Sequence, residues 1–285
     1  MSALISARGL AKRFGQTQAL DHVNFKVEKG RIVGLIGPNG AGKTTALKAI
    51  LGLTRFDGEL DVLGLDPRRQ RAQLMQDVCF IADVAVLPRW LKVRQALEFV
   101  EGVHPRFQRN RAEAFLAKTD IHTSSKVKEL SKGMVTQLHL AIIMAIDAKL
   151  LILDEPTLGL DILYRKEFYA SLLNDYFDGD RTIVVTTHQV EEVEHILTDL
   201  IFIDRGRILL DASMDEVAES YVEVLVNPDR MNAARKHTPI YERDDFGKKI
   251  FLFDGVGSEK LKDLGDTRTP SVADLFVAKV RGAAA

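Results

Sequence analysis

The stretch Ile32-Val33-Gly34-Leu35-Ile36-Gly37-Pro38-Asn39-Gly40-Ala41-Gly42-Lys43-Thr44-Thr45 joins an apolar run to a glycine-rich loop. Residues 37–44 fit the pattern G-x-x-x-x-G-K-[ST], and apolar residues recur with a helical period over residues 46–53. Residues 32–36 therefore predict a buried strand, and residues 46–53 predict a helix. A strand, this loop and a helix in that order are the setting in which the pattern binds phosphate, which disfavours a chance glycine-rich turn.

The loop, which we call the phosphate loop, has the chemistry of a polyphosphate site. Its glycines let backbone N–H groups point inward, and the N-terminus of the following helix adds partial positive charge. Lys43 is expected to reach the β- and γ-phosphates of a nucleotide, and Thr44 to ligate Mg²⁺. Thr45 is expected to add a hydroxyl contact to the phosphates. The other nucleotide-binding candidates of the loop are Asn39, Gly40, Ala41 and Gly42.

Composition narrows the class of protein. The 285 residues are 46% hydrophobic with a net charge of −1, which is enough for one large domain and a small appendage. Nucleic-acid binders usually show a basic excess, so no nucleic-acid partner is expected. The single Cys79 excludes an internal disulfide and fits a reducing compartment. The chain shows no signal-peptide pattern and no apolar run near about 18 residues, so we expect a cytoplasmic protein.

Short apolar runs alternate with helical patterns along the chain. Such a sequence predicts an α/β fold with a mainly parallel core sheet that is covered on both faces. The runs that predict buried strands are residues 32–36, 78–81, 150–153, 182–186 and 200–203. Residues 5–10 and 23–27 alternate instead, which predicts a smaller antiparallel sheet near the N-terminus, and residues 57–59 predict a hairpin turn.

Two further regions differ from this pattern. Residues from about 88 to 147 carry no strand pattern and predict a helical insertion. Beyond residue 219 the character changes: residues 221–226 and 248–253 predict strands, and Ser271 and Asp274 are spaced as the capping box of a last helix. We therefore expect one domain over residues 1–219 and a small α+β accessory domain over residues 220–285.

A pair of acidic residues follows the apolar run 150–153. Ligands of an open α/β sheet bind at the carboxyl ends of its strands, which is where Asp154 and Glu155 stand. Asp154 is expected to hold Mg²⁺, and Glu155 to polarise the water that attacks the γ-phosphate. A solvated sheet edge is the alternative, which the phosphate loop disfavours.

The order of three motifs resembles the ATP-binding cassette (ABC) family over residues 3 to about 219. The motifs are the phosphate loop, Leu130-Ser131-Lys132-Gly133-Met134, and Leu150-Leu151-Ile152-Leu153-Asp154-Glu155-Pro156. The resemblance implies a P-loop NTPase in which residues 130–134, the signature, open a helix. It also implies that Ser131 and Gly133 face the γ-phosphate of ATP held by an opposite subunit. Taken alone, Ser131 would be an ordinary helix cap.

Further residues gain a role only through this resemblance. His188 follows Thr186 and Thr187 at the end of a predicted strand and matches the switch histidine of the family. Phe14 matches the aromatic residue that stacks on adenine, although a phenylalanine there could also belong to the core. Residues 157–161 resemble the loop that lines the dimer seam.

Three residues depart from the usual family pattern. Asp83 stands where a glutamine commonly senses the γ-phosphate and Mg²⁺, and we expect its carboxylate to remain a metal ligand, although it cannot donate a hydrogen bond. Lys132 replaces a glycine of the signature and adds positive charge. Leu158 replaces a common serine in the seam loop and removes a cross-subunit hydrogen bond.

The resemblance implies that the chain works as a dimer. Two head-to-tail copies, expected to be a homodimer, would hold two ATP molecules with Mg²⁺ between them and part after hydrolysis. Residues 84–91, which include the single Trp90, match the docking site of a transmembrane permease subunit but could equally be buried core. Docking would place the chain peripherally on the inner face of the cell membrane.

The predicted function is the ATP-hydrolysing subunit of a membrane transporter. Residues 270–276 are similar to the ending of stand-alone ATPase subunits of bacterial drug or antibiotic exporters of the ABC-2 type, which favours export. A soluble ABC ATPase of translation or DNA repair is the alternative, but such proteins usually carry a long coiled-coil insertion or two cassettes. A small-molecule kinase with a phosphate loop would not explain the signature or His188.

Overall fold

A computed structural model describes residues 3–81, 87–158, 162–245 and 247–282 of the chain. Asp83, the first residues of the predicted docking segment (84–86) and residues 159–161 of the seam loop lie outside these ranges. The strands of the described ranges form three sheets. They are β1 (Ile5–Phe14), β2 (Thr17–Val27), β3 (Ile32–Ile36), β4 (Asp57–Val62), β5 (Val78–Ile81), β6 (Leu150–Asp154), β7 (Thr182–Thr187), β8 (Asp199–Asp204), β9 (Arg207–Ser213), β10 (Tyr221–Val226), β11 (Tyr241–Asp245), β12 (Lys248–Asp254) and β13 (Gly265–Arg268).

The α-helices of the same ranges pack on and between these sheets. They are α1 (Lys43–Ile50), α2 (Arg71–Leu74), α3 (Val93–Val103), α4 (Arg109–Leu116), α5 (Lys132–Met144), α6 (Ile162–Ser171), α7 (Met214–Ser220), α8 (Met231–Arg235) and α9 (Val272–Gly282). A π-helical turn, Leu172–Tyr176, continues α6. None of the described helices is both long and apolar enough to cross a bilayer.

The core sheet has the order β5-β6-β7-β3-β8-β9. Neighbouring strands from β5 to β8 pair in parallel, and only the edge strand β9 is antiparallel. Every residue of β3, β6 and β7 is buried, because helices and the second sheet cover both faces. The predicted α/β class with a mainly parallel core sheet is confirmed.

The N-terminal sheet has the order β2-β1-β4 and is antiparallel, as predicted. The hairpin turn predicted at residues 57–59 is wrong. These residues begin β4, and Asp57 and Glu59 pair with Ala11 and Arg8 of β1. A turn-like composition is misleading here because the partner strand lies about 50 residues away in the chain, where local patterns carry no information.

The region predicted as a helical insertion contains α3, α4 and α5. These helices share a buried cluster that includes Val93, Leu97, Leu116 and Leu138. The same helix α5 also contributes Leu140 to the cluster under the core sheet. The insertion is therefore packed on the core sheet through α5.

The residues after α7 form a second antiparallel sheet and a final helix. The strand order of this sheet is β11-β12-β10-β13. The strands predicted at residues 221–226 and 248–253 are found as β10 and β12. Ser271 and Asp274 are joined by the predicted capping contacts, since Asp274 N–H donates to Ser271 Oγ over 3.1 Å.

The side chain of Cys79 on β5 is buried, and burial raises the pKa of its thiol to about 12.

Candidate nucleotide-binding and hydrolysis site

The phosphate loop lies at the carboxyl end of β3 and leads directly into α1, which begins at Lys43 rather than at residue 46. Its backbone requires glycine at Gly42, where φ is +114° and an added Cβ would lie 2.5 Å from the carbonyl oxygen of Ala19. Lys43 is 6% exposed, and its Nζ donates to the carbonyl oxygen of Gly37 over 2.7 Å. The loop thus forms the predicted cradle, with a buried cation at its base.

The residues that line the pocket above this loop come from three parts of the chain. They are Thr17, Ala19, Pro38, Asn39, Gly40, Ala41, Gly42, Lys43, Thr44, Thr45, Asp154 and Glu155. The fold therefore brings together the predicted phosphate-loop residues and both acidic residues, because β6 and β3 flank β7 in the core sheet.

Asp154 ends β6 and is 3% exposed. Its Oδ1 accepts a hydrogen bond from Thr44 Oγ1 over 3.3 Å and a shorter one from Thr186 Oγ1 over 2.6 Å. A buried carboxylate with two hydroxyl donors has a fixed orientation. Asp154 is thus joined to the phosphate loop on one side and to β7 on the other.

Glu155 occupies an unusual backbone conformation with φ of +49°. Its N–H donates to both oxygens of Thr186, over 3.1 Å to Oγ1 and 3.2 Å to the backbone carbonyl. Its carboxylate lies between two nitrogen groups, with Oε1 3.3 Å from Lys43 Nζ and Oε2 2.9 Å from His188 Nδ1. A strained residue held by several contacts is typical of a site where side-chain direction matters.

Thr186 is a site residue whose role the sequence did not reveal. It pairs with Asp154 in the parallel register of β6 and β7, and its side chain is fully buried. Its hydroxyl donates to the Asp154 carboxylate and accepts from the Glu155 backbone, so one side chain positions both acidic residues. The only indication of this role in the sequence is that Thr186 is a polar residue at the end of a predicted buried strand. Its contact with Asp154 depends on the register of β6 and β7, which a sequence does not reveal.

The segment that begins with His188, residues 188–194, is held by α6, the helix that follows the seam loop. Arg165 of α6 donates from Nη1 to Gln189 Oε1 over 2.6 Å and forms an ion pair with Glu192. Thr157 Oγ1 also donates to Glu192, over 3.4 Å. We call residues 188–194 the switch segment. It is tied to the described parts of the seam loop by contacts that the sequence did not predict.

The residues of the signature, 130–134, do not line the phosphate-loop pocket of the same chain. Ser131 caps α5, since its Oγ accepts from Met134 N–H over 3.2 Å, and it is exposed together with Lys132. Gly133 is buried beneath the ring of Tyr164, and an added Cβ would lie 2.2 Å from Tyr164 Cζ. Ser131 and Gly133 are not among the residues that line the phosphate-loop pocket.

The sequence did not decide whether two aromatic residues, Phe14 and Trp90, belong to the core or to a contact surface, and the structure shows both to be exposed. Phe14 at the end of β1 is 52% exposed and Trp90 is 69% exposed, so neither belongs to the core. The ring of Phe14 is approached only on one side, by Lys12 Nζ 4.8 Å from its centroid, among the described contacts. Both rings are available for contact with a ligand or a partner.

Comparison with known proteins agrees with this geometry. A family model described as "ABC transporter" matches residues 20–158. The chain is 33% identical over 219 residues to "Daunorubicin resistance ATP-binding protein DrrA3" of Streptomyces coeruleorubidus, covering 75% of this chain and 69% of that protein. It is 31% identical over 273 residues to "Nod factor export ATP-binding protein I" of Cupriavidus metallidurans, covering 89% and 87%.

A third relative is considerably longer than this chain. "Probable multidrug ABC transporter ATP-binding protein YbhF" of Escherichia coli is 36% identical over 223 residues, which are 75% of this chain but 38% of that protein. Among solved structures, "Structure of ATP binding subunit of ABC transporter" superposes with a TM-score of 0.67 at 25% identity, covering 75% of this chain and 91% of that chain. The chain therefore belongs to the ABC transporter family and is an ATP-binding protein, which confirms the predicted family.

Proposed function

We propose that the chain is the ATP-binding and ATP-hydrolysing subunit of a membrane transporter that works as an exporter. The observation that carries the proposal is Glu155, which stands after the buried Asp154 and is held between Lys43 and His188. Among the relatives named above, one is named as a multidrug ABC transporter ATP-binding protein, one for daunorubicin resistance and one for Nod factor export. The geometry at Glu155 supports ATP hydrolysis, and the names of the relatives favour transport over the soluble alternative in translation or DNA repair.

Each residue of the site has a distinct role in this proposal. The phosphate loop binds the ATP phosphates with its N–H groups, and Lys43 neutralises the β- and γ-phosphates. Glu155 acts as the general base toward the attacking water, and His188 orients the Glu155 carboxylate through the 2.9 Å contact. Phe14 stacks on the adenine ring.

The residues Thr44 and Asp154 fit a magnesium ion. Their oxygens Oγ1 and Oδ1 lie 3.3 Å apart, and hydroxyl and carboxylate oxygens are the ligands that Mg²⁺ prefers. When bound, the ion would neutralise charge on the phosphates. Asp83 is proposed as a further ligand, although it lies outside the described residues.

A second copy of the chain completes the site in this proposal. Ser131 and Gly133 are not among the residues that line the phosphate-loop pocket of their own chain, which supports a role of the N-terminal end of α5 at the ATP of another subunit. The seam loop is flanked by exposed apolar side chains, with Leu158 50% exposed and Ile162 74% exposed. We propose that a homodimer covers them, and that apolar contact at Leu158 replaces the missing hydrogen bond.

The chain is proposed to divide into an ABC ATPase domain over residues 1–219 and an accessory domain over residues 220–285. The helical subdomain occupies about residues 88–147 of the first. Its edge near Trp90 is the proposed docking site of a transmembrane permease subunit, which would hold the chain at the inner face of the membrane. The exposure of this large ring supports docking, because tryptophan is enriched among the residues that anchor protein interfaces.

Substitution of Trp90 by Ser tests this docking site. Loss of an interface tryptophan is worth about 2 kcal/mol, or about thirtyfold in affinity, so the variant should leave the membrane fraction. The measurement is the fraction of tagged chain that sediments with membrane vesicles of the source cells. Leu53→Ser is the control, since Leu53 is also exposed (47%) but lies next to α1. Equal sedimentation of wild type and Trp90→Ser would contradict docking through Trp90.

Substitution of Thr186 by Val tests the role of the hydroxyl that joins Asp154 and Glu155. Valine keeps the shape of the buried side chain but removes both hydrogen bonds, so we expect kcat for ATP hydrolysis to fall about tenfold or more. The concentration of Mg²⁺ needed for half-maximal rate should also rise. Steady-state ATPase assays over a series of Mg²⁺ concentrations measure both effects. Thr186→Ser keeps the hydroxyl and should recover most of the rate; a Val variant as active as wild type would show that the hydroxyl has no role.

A further inference from the structure

The last helix, α9, is packed on the core sheet as well as on the appended sheet. Val272, Leu275 and Ala278 of α9 belong to the same buried cluster as Phe202 of β8. The ring of Phe276 meets that of Phe202 edge to face, with centroids 5.1 Å apart. A favourable aromatic pair inside a shared core fixes the position of α9 relative to the ATPase site.

The same helix contacts the switch segment. Val272 N–H donates to Glu194 Oε1 over 3.1 Å, which joins the first turn of α9 to the end of that segment. Phe276 lines one cavity together with His188, Val190 and residues 37–39 of the phosphate loop. The C-terminal helix thus reaches both the histidine and the entrance of the phosphate loop.

A network of charged residues joins the start of α9 to the appended sheet. Asp274 accepts from Arg243 Nη2 over 3.1 Å, and the same nitrogen lies 3.6 Å from the buried Glu223 of β10. Arg268 of β13 donates to Glu223 over 2.5 Å. A buried carboxylate needs such partners, and these contacts join the appended sheet to the start of α9.

The switch segment is therefore held from two sides. Arg165 of α6 binds Gln189 and Glu192 on the side of the dimer seam, and α9 binds Glu194 and packs near His188 on the other. His188 can reach Glu155 only if this segment keeps its place.

We propose that Phe276 and Glu194 are positioning residues for ATP hydrolysis, through which the C-terminal helix holds the switch segment so that His188 meets Glu155. The accessory domain then controls the rate of hydrolysis without taking part in ATP binding. This inference rests on the proposed function, since it assigns a role to residues around the same site.

The test compares Phe276→Ala with Phe276→Leu and with Val277→Ala in the full-length chain. Val277 is the neighbouring residue of α9 and is 38% exposed, so its variant controls for changes to the helix itself. We expect Phe276→Ala to lower kcat about tenfold, while KM for ATP changes less than about twofold. Hydrogen exchange of amides in residues 188–194 should rise about tenfold in the same variant. Phe276→Leu should lie between this variant and wild type.

The outcomes separate this inference from the proposed function. Phe276→Ala with wild-type kcat, or with unchanged exchange in the switch segment, overturns the positioning role and leaves the ATPase assignment intact. A parallel loss of kcat, ATP binding and melting temperature also overturns it, because that pattern means general unfolding. A wild-type chain that does not hydrolyse ATP overturns the proposed function and this inference with it.

Discussion

Substitution of Glu155 by Gln should slow ATP hydrolysis by about 10²-fold or more while ATP still binds. Glutamine has the size of the glutamate but cannot take a proton from water at neutral pH. The backbone contacts of residue 155 with Thr186 do not depend on the side chain and should remain. The measurement is phosphate release under saturating ATP and Mg²⁺.

The same variant should accumulate as a dimer in the presence of ATP. If two chains close over two ATP molecules and part only after hydrolysis, a chain that binds without hydrolysing is trapped in the closed form. Analytical ultracentrifugation with and without ATP measures this directly. Glu219→Gln, the same change at an exposed carboxylate of α7, serves as the control. A variant that stays monomeric with ATP would show the two-subunit sandwich to be wrong, and one that hydrolyses at the wild-type rate would show that Glu155 is not the base.

Substitution of Lys43 by Ala should weaken ATP binding by about 10- to 100-fold. A charged hydrogen bond to phosphate is worth about 1.5–3 kcal/mol, and Lys43 is the buried cation of the loop. Titration with a fluorescent ATP analogue gives the dissociation constant. Lys48→Ala is a matched control, since Lys48 lies on the same helix α1 but is exposed. Equal affinity in Lys43→Ala and wild type would contradict the assignment of the phosphate loop.

The parts of the fold that the sequence predicted are those set by local patterns. Continuous apolar runs predicted the parallel strands. A strand that is buried on both faces has apolar residues at successive positions and does not alternate between apolar and polar residues. The phosphate loop and the acidic pair were found because their chemistry needs fixed residue types at fixed spacing. The order of the strands in the core sheet, which places β3 and β6 on either side of β7, was not predicted and comes from the structure.

Features that depend on distant pairing were not predicted. Strands β11 (Tyr241–Asp245) and β13 (Gly265–Arg268) are short and rich in charge, so they lack the apolar pattern of a strand. The contacts of Thr186 with Asp154 depend on strand register, and those of Arg165 with Gln189 depend on how α6 packs. Neither is encoded in any single stretch of sequence.

The buried position of Cys79 makes the chain convenient for labelling. Its thiol is the only one in the sequence, and a pKa raised to about 12 keeps it protonated and unreactive near neutral pH. A cysteine introduced at an exposed position such as Val277 would therefore be the single target for a maleimide fluorophore or a spin label. Movement of the last helix during an ATP cycle could then be followed in real time, with no native residue to remove first.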